Sequence, residues 1–407
     1  MDFRPAIVAI AYNRPEALLR LLTSIEAAVY DENVHPLLVV SIDKSDSDET
    51  AKVAHDFNYT HGEKVIIERP ERMGLKDHVL ACGELTRTYG SIIVLEDDLF
   101  VAPRFYEYAC AALDHTEDDD RIGGVSLYNH LFNVHTREGF LAIDDGYDNW
   151  YLQIASSWGQ AYTAGQWDGF AKWYAGNKNR SLEGPFVPAN VSGWSDKSWL
   201  KYYIAYLIET GRYCIYPRVS MTTNFGDIGS HACKTDTDLQ VPLMNTRRCV
   251  NYEFSTLDES RAVYDAFFEP VGILADRKIC LGGLEEGFDA KEKRRLIVDL
   301  YGYKPLDEII SSFRNDPDKE DVNYVLTSKR LPYKVIKSFA RQMRPADANI
   351  LYGIRGNDLH LYDIRKNDNP PAKEDEALRS FYEYRGISAS RMAKMIGYRL
   401  KEKLNRD

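Results

Sequence analysis

The sequence has no Cys-x-x-Cys pair, no His-Glu-x-x-His, no Gly-x-Ser-x-Gly and no Walker loop. These absences remove the commonest zinc-site, metallopeptidase, serine-hydrolase and ATPase readings. Cys82, Cys110, Cys214, Cys233, Cys249 and Cys280 are scattered, so reduced and mostly buried thiols are expected rather than a disulfide framework. His35, His55, His61, His115, His130, His135 and His360 show no metal-ligand spacing. No apolar run approaches the roughly 18 residues of a membrane span. Met1-Asp2-Phe3-Arg4-Pro5 leads straight into a strand-like run, so no signal peptide and a cytoplasmic location are expected. Positive charge is in deficit too. The balance of 51 Lys+Arg against 62 Asp+Glu gives a net charge of −11, which argues against nucleic acid as a partner.

What is present is a chain of 407 residues, 44% of them hydrophobic, long enough for two or three units and a core that needs no staples. Its first hundred residues alternate apolar runs with helical patterns. Ala6–Ala11, Leu37–Ile42, Val65–Ile67 and Ile92–Leu95 read as strands. Pro15, early in its first turn, opens a helix whose apolar stripe is Leu18, Leu21, Leu22 and Ile25, and a second helix is expected over about 75–88. Unbroken apolar strands spaced by helices predict a parallel sheet covered on both faces, with ligands at the carboxyl ends of its strands.

The composition changes after residue 100. All six tryptophans fall between Trp150 and Trp199, in a stretch rich in Tyr and Gly, which suggests a mixed α/β half. Beyond about 288 the chain reads as helical and charged. Residues 329–344 hold six Lys/Arg and no acid, and 385–407 hold seven against two acids. Three divisions are expected: 1–103, 104–287 and 288–407, with Asn367-Asp368-Asn369-Pro370-Pro371 as a linker. Met392, Ile396, Leu400 and Leu404 recur every four residues, with Arg391, Lys394 and Lys401 towards another side. Such a basic amphipathic helix is suited to lie on an anionic membrane, or else to pack its stripe on the protein itself.

The most chemical local signal is Glu96-Asp97-Asp98, directly after the buried run Ile92–Leu95. Three carboxylates at the end of a buried strand repel one another, and a divalent cation relieves that repulsion. Hard oxygen ligands suit Mg²⁺ or Mn²⁺, which then bridges to a diphosphate. An acidic turn in water is the alternative. Strand one ends at Tyr12-Asn13-Arg14, where an arginine can hold a diphosphate, and strand two ends at Asp43, where a carboxylate can accept from ribose or base. Alone, Arg14 reads as a first-turn residue and Asp43 as a turn former. Polar groups at three carboxyl ends of one sheet together describe a nucleotide site.

These residues carry a resemblance. Strand–Tyr-Asn-Arg-Pro, strand–Asp, Gly74-Leu75-Lys76 and a strand ending in an acidic triplet resemble nucleotide-sugar glycosyltransferases of the GT-A fold, closest to the N-acetylglucosaminyltransferase I type. Ile93-Val94-Leu95-Glu96-Asp97-Asp98-Leu99-Phe100-Val101-Ala102-Pro103, followed by Phe105-Tyr106-Glu107-Tyr108, is similar to that family's metal-binding segment. Pro217-Arg218-Val219-Ser220-Met221-Thr222-Thr223-Asn224-Phe225-Gly226 with Gly229-Ser230-His231 is similar to its loop over the donor.

The resemblance covers about residues 5–250 and implies a Rossmann-like mixed sheet with a nucleotide-binding half and an acceptor half, to which the pattern beyond about 288 adds a helical C-terminal extension. It implies that Asp98 holds the metal, with Glu96 and Asp97 near its waters and the ribose. Arg14 would bind the nucleotide, Asp43 the uracil or ribose, His78 the base region and Ser230 the phosphates. Trp194-Ser195-Asp196-Lys197 resembles the segment bearing the catalytic base, which gives Asp196 that role; a helix N-cap is its plainer reading. Trp158, Trp167 and Trp194 are candidates for an acceptor groove or for core.

The expected activity is inverting transfer from a UDP-sugar to a glycan or lipid-linked glycan in bacterial surface-polysaccharide assembly, with Mn²⁺ or Mg²⁺ as cofactor. A non-catalytic carbohydrate-binding protein on the same fold is one rival. A sugar-1-phosphate nucleotidyltransferase is another, but it needs a Gly-rich loop where Ala11-Tyr12-Asn13-Arg14-Pro15 has no glycine.

Overall fold

The computed structural model describes residues 3–227, 239–271, 296–315 and 322–365, with four further positions between 390 and 396. Ser230, the 367–371 linker and nearly all of the 388–404 stripe lie outside the described residues. The chain divides into two compact units, the first spanning Met1–Ala275 with Tyr303–Ile309, the second Asp276–Gly302 with Ile310–Asp407.

The first unit opens with β1 (Ala6–Ala11), α1 (Pro15–Glu26), β2 (Leu38–Ile42), α2 (Glu49–Asp56), β3 (Lys64–Glu68), α3 (Leu75–Gly83), α4 (Thr86–Tyr89) and β4 (Ser91–Glu96). It continues with β5 (Leu99–Val101), α5 (Phe105–Thr116), β6 (Ile122–Ser126), β7 (Asn149–Leu152), β8 (Gln160–Thr163), α6 (Ala164–Asn177), α7 (Ala189–Ser192), α8 (Leu200–Glu209), β9 (Tyr213–Pro217), β10 (Thr222–Asn224) and β11 (Val263–Tyr264). Nine strands form one sheet in the order β11-β7-β9-β6-β8-β4-β1-β2-β3.

Its first four strands are parallel, as their unbroken apolar runs predict, and β1 and β4 are buried on both faces. β8 runs antiparallel to β4, and from there the sheet is mixed. Leu18, Leu21, Leu22 and Ile25 of α1 share a core with Ile7, Ala9, Leu38, Val40, Ile93 and Leu95, which accounts for the helix's spacing. The helix expected over about 75–88 is two pieces, α3 and α4. This is the mixed α/β architecture of the GT-A fold.

In the second unit, described residues carry a four-stranded sheet in the order β12-β13-β15-β14: β12 (Leu296–Asp299), β13 (Tyr324–Thr327), β14 (Lys334–Phe339) and β15 (Leu359–Asp363). Helices were expected beyond about residue 288, and among the described residues two occur there, at Leu306–Asn315 and Ala348–Leu351. The sheet was not expected. Its edge strand β14 mixes lysines with apolar residues and is only partly buried, so its alternation is weak in the sequence. Among the described residues, no helix is long and apolar enough to cross a membrane. Cys82, Cys110, Cys214 and Cys249 are free thiols, the first and third buried and Cys249 exposed.

Candidate active site

Sheet register brings the predicted residues together. Ile42 pairs with Ala11 and Glu96 with Ile10, so the carboxyl ends of β1, β2 and β4 are level. Beyond β4 the chain turns through Asp97 and Asp98 into β5, which pairs only with β10 in a short antiparallel ribbon. Asn224 lies opposite Leu99, and the Phe225 amide donates to the Asp98 carbonyl at 2.9 Å. Residues 222–225, within the segment similar to a donor loop, therefore run beside the acidic turn.

The turn is charged and enclosed. Asp97 is 3% exposed, and burial pushes its carboxyl up to about 6 although Arg14 pulls the other way. Burial, then repulsion from Asp98 and Asp97, raises Glu96 well above the usual carboxylate range. Arg14, the residue before α1, reaches both neighbours: it donates to Asp98 Oδ2 at 3.1 Å and to Asp97 Oδ1. Burial works against the guanidinium's charge, but Asp97 and Asp98 outweigh it and hold Arg14 protonated. The repulsion within the triplet is thus answered in part by a cation of the chain itself. Asp98 Oδ1 is different: it is buried and, among the described residues, meets no hydrogen-bond partner. A buried carboxylate oxygen left unpaired is costly, and a hard cation is the partner its chemistry fits. Among the described residues, no three His, Cys, Asp or Glu side chains converge on a metal position.

At the end of β2, Asp43 is 3% exposed and bound on every side. It accepts from the amides of Lys44 at 2.9 Å, Met73 at 2.8 Å and Gly74 at 2.8 Å, and from Arg72 Nε at 3.0 Å. Gly74 takes φ +79, a conformation natural to glycine, just where the loop enters α3. Asp43 thereby shapes the 72–74 loop and holds Arg72, whose guanidinium lies 3.4 Å from the centre of the Tyr12 ring. Tyr12 and Arg72 join the cluster on geometry alone. Nothing in the spacing of Arg69-Pro70-Glu71-Arg72 announces this, because the contact depends on a loop folded by Asp43.

His78 is 2% exposed and shares a 2.8 Å hydrogen bond with Ser41 Oγ. Burial lowers it to about 4, so it is neutral at pH 7. On the other side, Arg20 grips Asp227 through both carboxylate oxygens and lies 4.0 Å over the Phe225 ring. Asp227 is close enough to Asp97 to add to the upward pressure on its carboxyl.

Asp196 lies in the turn before α8, with its side chain 91% exposed and bonded to Lys201 Nζ at 2.6 Å. Lys201 holds its carboxyl below the usual carboxylate range. It is not the N-cap; that position is Trp199, with no side-chain cap. Lys76, in the first turn of α3, donates to the Asp196 carbonyl at 2.9 Å, which ties this turn to the helix entered from Gly74. Of the three tryptophans considered for a groove, Trp167 is core, 1% exposed with Nε1 bonded to Glu84, while Trp158 and Trp194 stay partly open.

A phosphate-compatible arginine, a cation-compatible carboxylate and an aromatic–arginine pair thus meet at the level strand ends of a GT-A fold. Residues 6–155 match the family described as glycosyl transferase family 2. Among solved structures, mannosyltransferase PcManGT from Pyrobaculum calidifontis, in complex with GDP-Man and Mn²⁺, is 16% identical with a TM-score of 0.34, over 53% of this chain and 55% of that one. S. aureus TarS 1–349 is 12% identical with a TM-score of 0.33, over 52% and 60%. A cytidylyltransferase from Leptospira borgpetersenii serovar Hardjo-bovis is 13% identical with a TM-score of 0.26, over 42% and 64%. The chain spans less than two thirds of each of these proteins. No curated protein matches the chain.

Proposed function

We propose that this protein is an inverting, metal-dependent glycosyltransferase that moves a sugar from a nucleotide sugar, a UDP-sugar in the first instance, to a hydroxyl of a glycan acceptor. The acceptor is lipid-linked and handled at an anionic membrane during surface-polysaccharide assembly. The observation that carries the reading is the unpaired, buried Oδ1 of Asp98 at the end of β4, with Arg14 beside it. Asp98 would hold Mn²⁺ or Mg²⁺ as a single protein ligand, the usual manner for a cation shared with a diphosphate. When bound, that ion neutralises the diphosphate and makes it a better leaving group.

Arg14 supports the same charge by moving from the two aspartates to phosphate oxygens. Glu96 and Asp97 stand near the metal's waters and the ribose. The Tyr12–Arg72 pair takes the base, and Asp43 fixes it through the loop it holds. His78 supports that loop from below, and Ser230 reaches the phosphates. Inversion needs one displacement, with a base on the face opposite the departing diphosphate. Asp196 accepts the acceptor's proton, and the carbon–oxygen bond to the diphosphate breaks as the new glycosidic bond forms. Its ion pair with Lys201 keeps it ionised and limits its basicity. Asp227 is the second candidate for that role, because it lies beside the acidic turn.

The test is release of nucleoside diphosphate from a panel of nucleotide sugars with Mn²⁺ and glycan acceptors. Acceptor-dependent release that Asp98→Ala abolishes is expected. Metal-dependent UDP binding without any release would make the protein a carbohydrate-binding relative instead.

A further inference from the structure

The second unit contains a basic surface made of residues outside the site described above. Residues 322–365 hold eight Lys/Arg against three Asp, in a chain whose net charge is −11. Two of the three acids are engaged: Asp347 is buried, and Asp363 pairs with Arg365 at 2.6 Å. The third, Asp358, is spent on the backbone amide of Arg341 at 3.0 Å.

One corner of this unit combines that charge with exposed apolar side chains. Asn349, fully buried in the helix Ala348–Leu351, accepts from the amides of Gln342 and Met343 at 3.0 and 2.9 Å and donates to the Met343 carbonyl at 3.1 Å. It therefore fixes the 342–346 loop with Met343 outward, 37% exposed. Three residues after Asn349, one helical turn on, Tyr352 is 66% exposed. Between 322 and 365 these are the two large hydrophobic side chains that stand in water, and both fall on this corner. Arg344 and Arg355 flank them, both exposed. The corner is built, not frayed: Ala340 and Ile354 are joined by a 2.9 Å backbone hydrogen bond, and Phe339 bridges Arg355.

We propose that this corner docks the protein on an anionic lipid surface, with Tyr352 and Met343 entering the headgroup layer and Arg344 and Arg355 on the lipid phosphates. A solvated basic patch needs no exposed tyrosine and methionine. A protein partner would need a broader apolar face than two side chains supply. An aromatic ring with a polar tip beside arginines suits the boundary between water and acyl chains. The proposal rests on the reading that the acceptor is membrane-borne, but its test does not need sugar transfer.

The test is co-sedimentation of the full chain with phosphatidylcholine vesicles and with vesicles containing a quarter phosphatidylglycerol. Each basic residue near such a surface strengthens partitioning roughly fivefold. The parent should bind the anionic vesicles and not the neutral ones, and Arg344→Gln with Arg355→Gln should weaken binding about 25-fold. Met343→Ser with Tyr352→Ser should leave a remnant that 0.5 M NaCl removes, since screening then acts on charge alone. Equal binding by either pair of variants and the parent would overturn the proposal. So would binding of soluble polyphosphate as tightly as of anionic vesicles, with the Met343 and Tyr352 variants unaffected, which would make the occupant a soluble polyanion. Transfer to a water-soluble acceptor should be unchanged in all four substitutions. Its absence in the parent, with vesicle binding intact, would count against the catalytic reading and not against this one.

Discussion

Asp98→Asn tests whether the acidic turn is held at a cost to stability. In the folded protein the rise of the Glu96 carboxyl from its ordinary 4.5 to about 8 corresponds to on the order of 5 kcal/mol between its two protonation states. Burial is the largest cause and the Asp98 charge the second, so relief from Asp98 amounts to roughly 1–2 kcal/mol near neutral pH. Against this, Arg14 loses one carboxylate partner in a partly exposed pair, about 1 kcal/mol. The variant should therefore be as stable as the parent or slightly more so.

The sign with pH follows from Glu96 and Asp97, whose raised carboxyls keep protons that the unfolded chain has released. Their contribution is present at low pH and is lost as pH rises through about 6 to 8. Asp98→Asn should flatten that loss. Urea unfolding in EDTA at pH 6, 7 and 8, followed by tryptophan fluorescence, reads the first unit, since all six tryptophans lie between Trp150 and Trp199. A loss of more than about 2 kcal/mol at pH 7, or an unchanged slope, would refute the reasoning.

Other outcomes follow from the same geometry. Asp43→Ala removes the acceptor for three amides and Arg72, and should cost about 2 kcal/mol or more in urea titration and weaken nucleotide binding, because the 72–74 loop loses its anchor. Burial lowers His130 to about 3, so the unfolded chain takes up a proton that the folded one refuses. Stability from this group is present above pH 6.5 and falls by about 1.4 kcal/mol per pH unit below it, and His130→Phe should remove that slope. A Cβ on Gly83 would lie 1.9 Å from the Trp167 ring, so Gly83→Ala should cost roughly 1–3 kcal/mol in thermal unfolding. Asp196→Asn should cut transfer by about 10²–10⁴ with donor binding retained; a tenth or more of parental turnover would shift the base to Asp227.

The parallel half of the sheet was legible because β1, β2 and β4 are unbroken apolar runs, and only strands buried on both faces need that composition. The stripe of α1 was equally plain. The ribbon β5–β10 was not, since its three-residue strands lie 121 positions or more apart and pair through register alone. In the site, Arg14, Asp43 and the acidic triplet were visible as polar groups after apolar runs. Their mutual arrangement was not: Arg14 bonds Asp97 and Asp98 across 83 and 84 positions, a contact that no local spacing announces. Arg72 escaped because its place is set by Asp43, 29 positions earlier in the chain. Trp167 could not be told from a groove residue, since an aromatic ring serves core and sugar alike.

The central claim is that a nucleoside diphosphate binds at the level ends of β1, β2 and β4 through a cation held by Asp98. Calorimetric titration of UDP into the full chain, with Mn²⁺ and again with EDTA, tests it most directly. The account predicts at least tenfold tighter binding with Mn²⁺ in the parent and no difference in Asp98→Ala. Equal affinity with and without Mn²⁺ in the parent would contradict it.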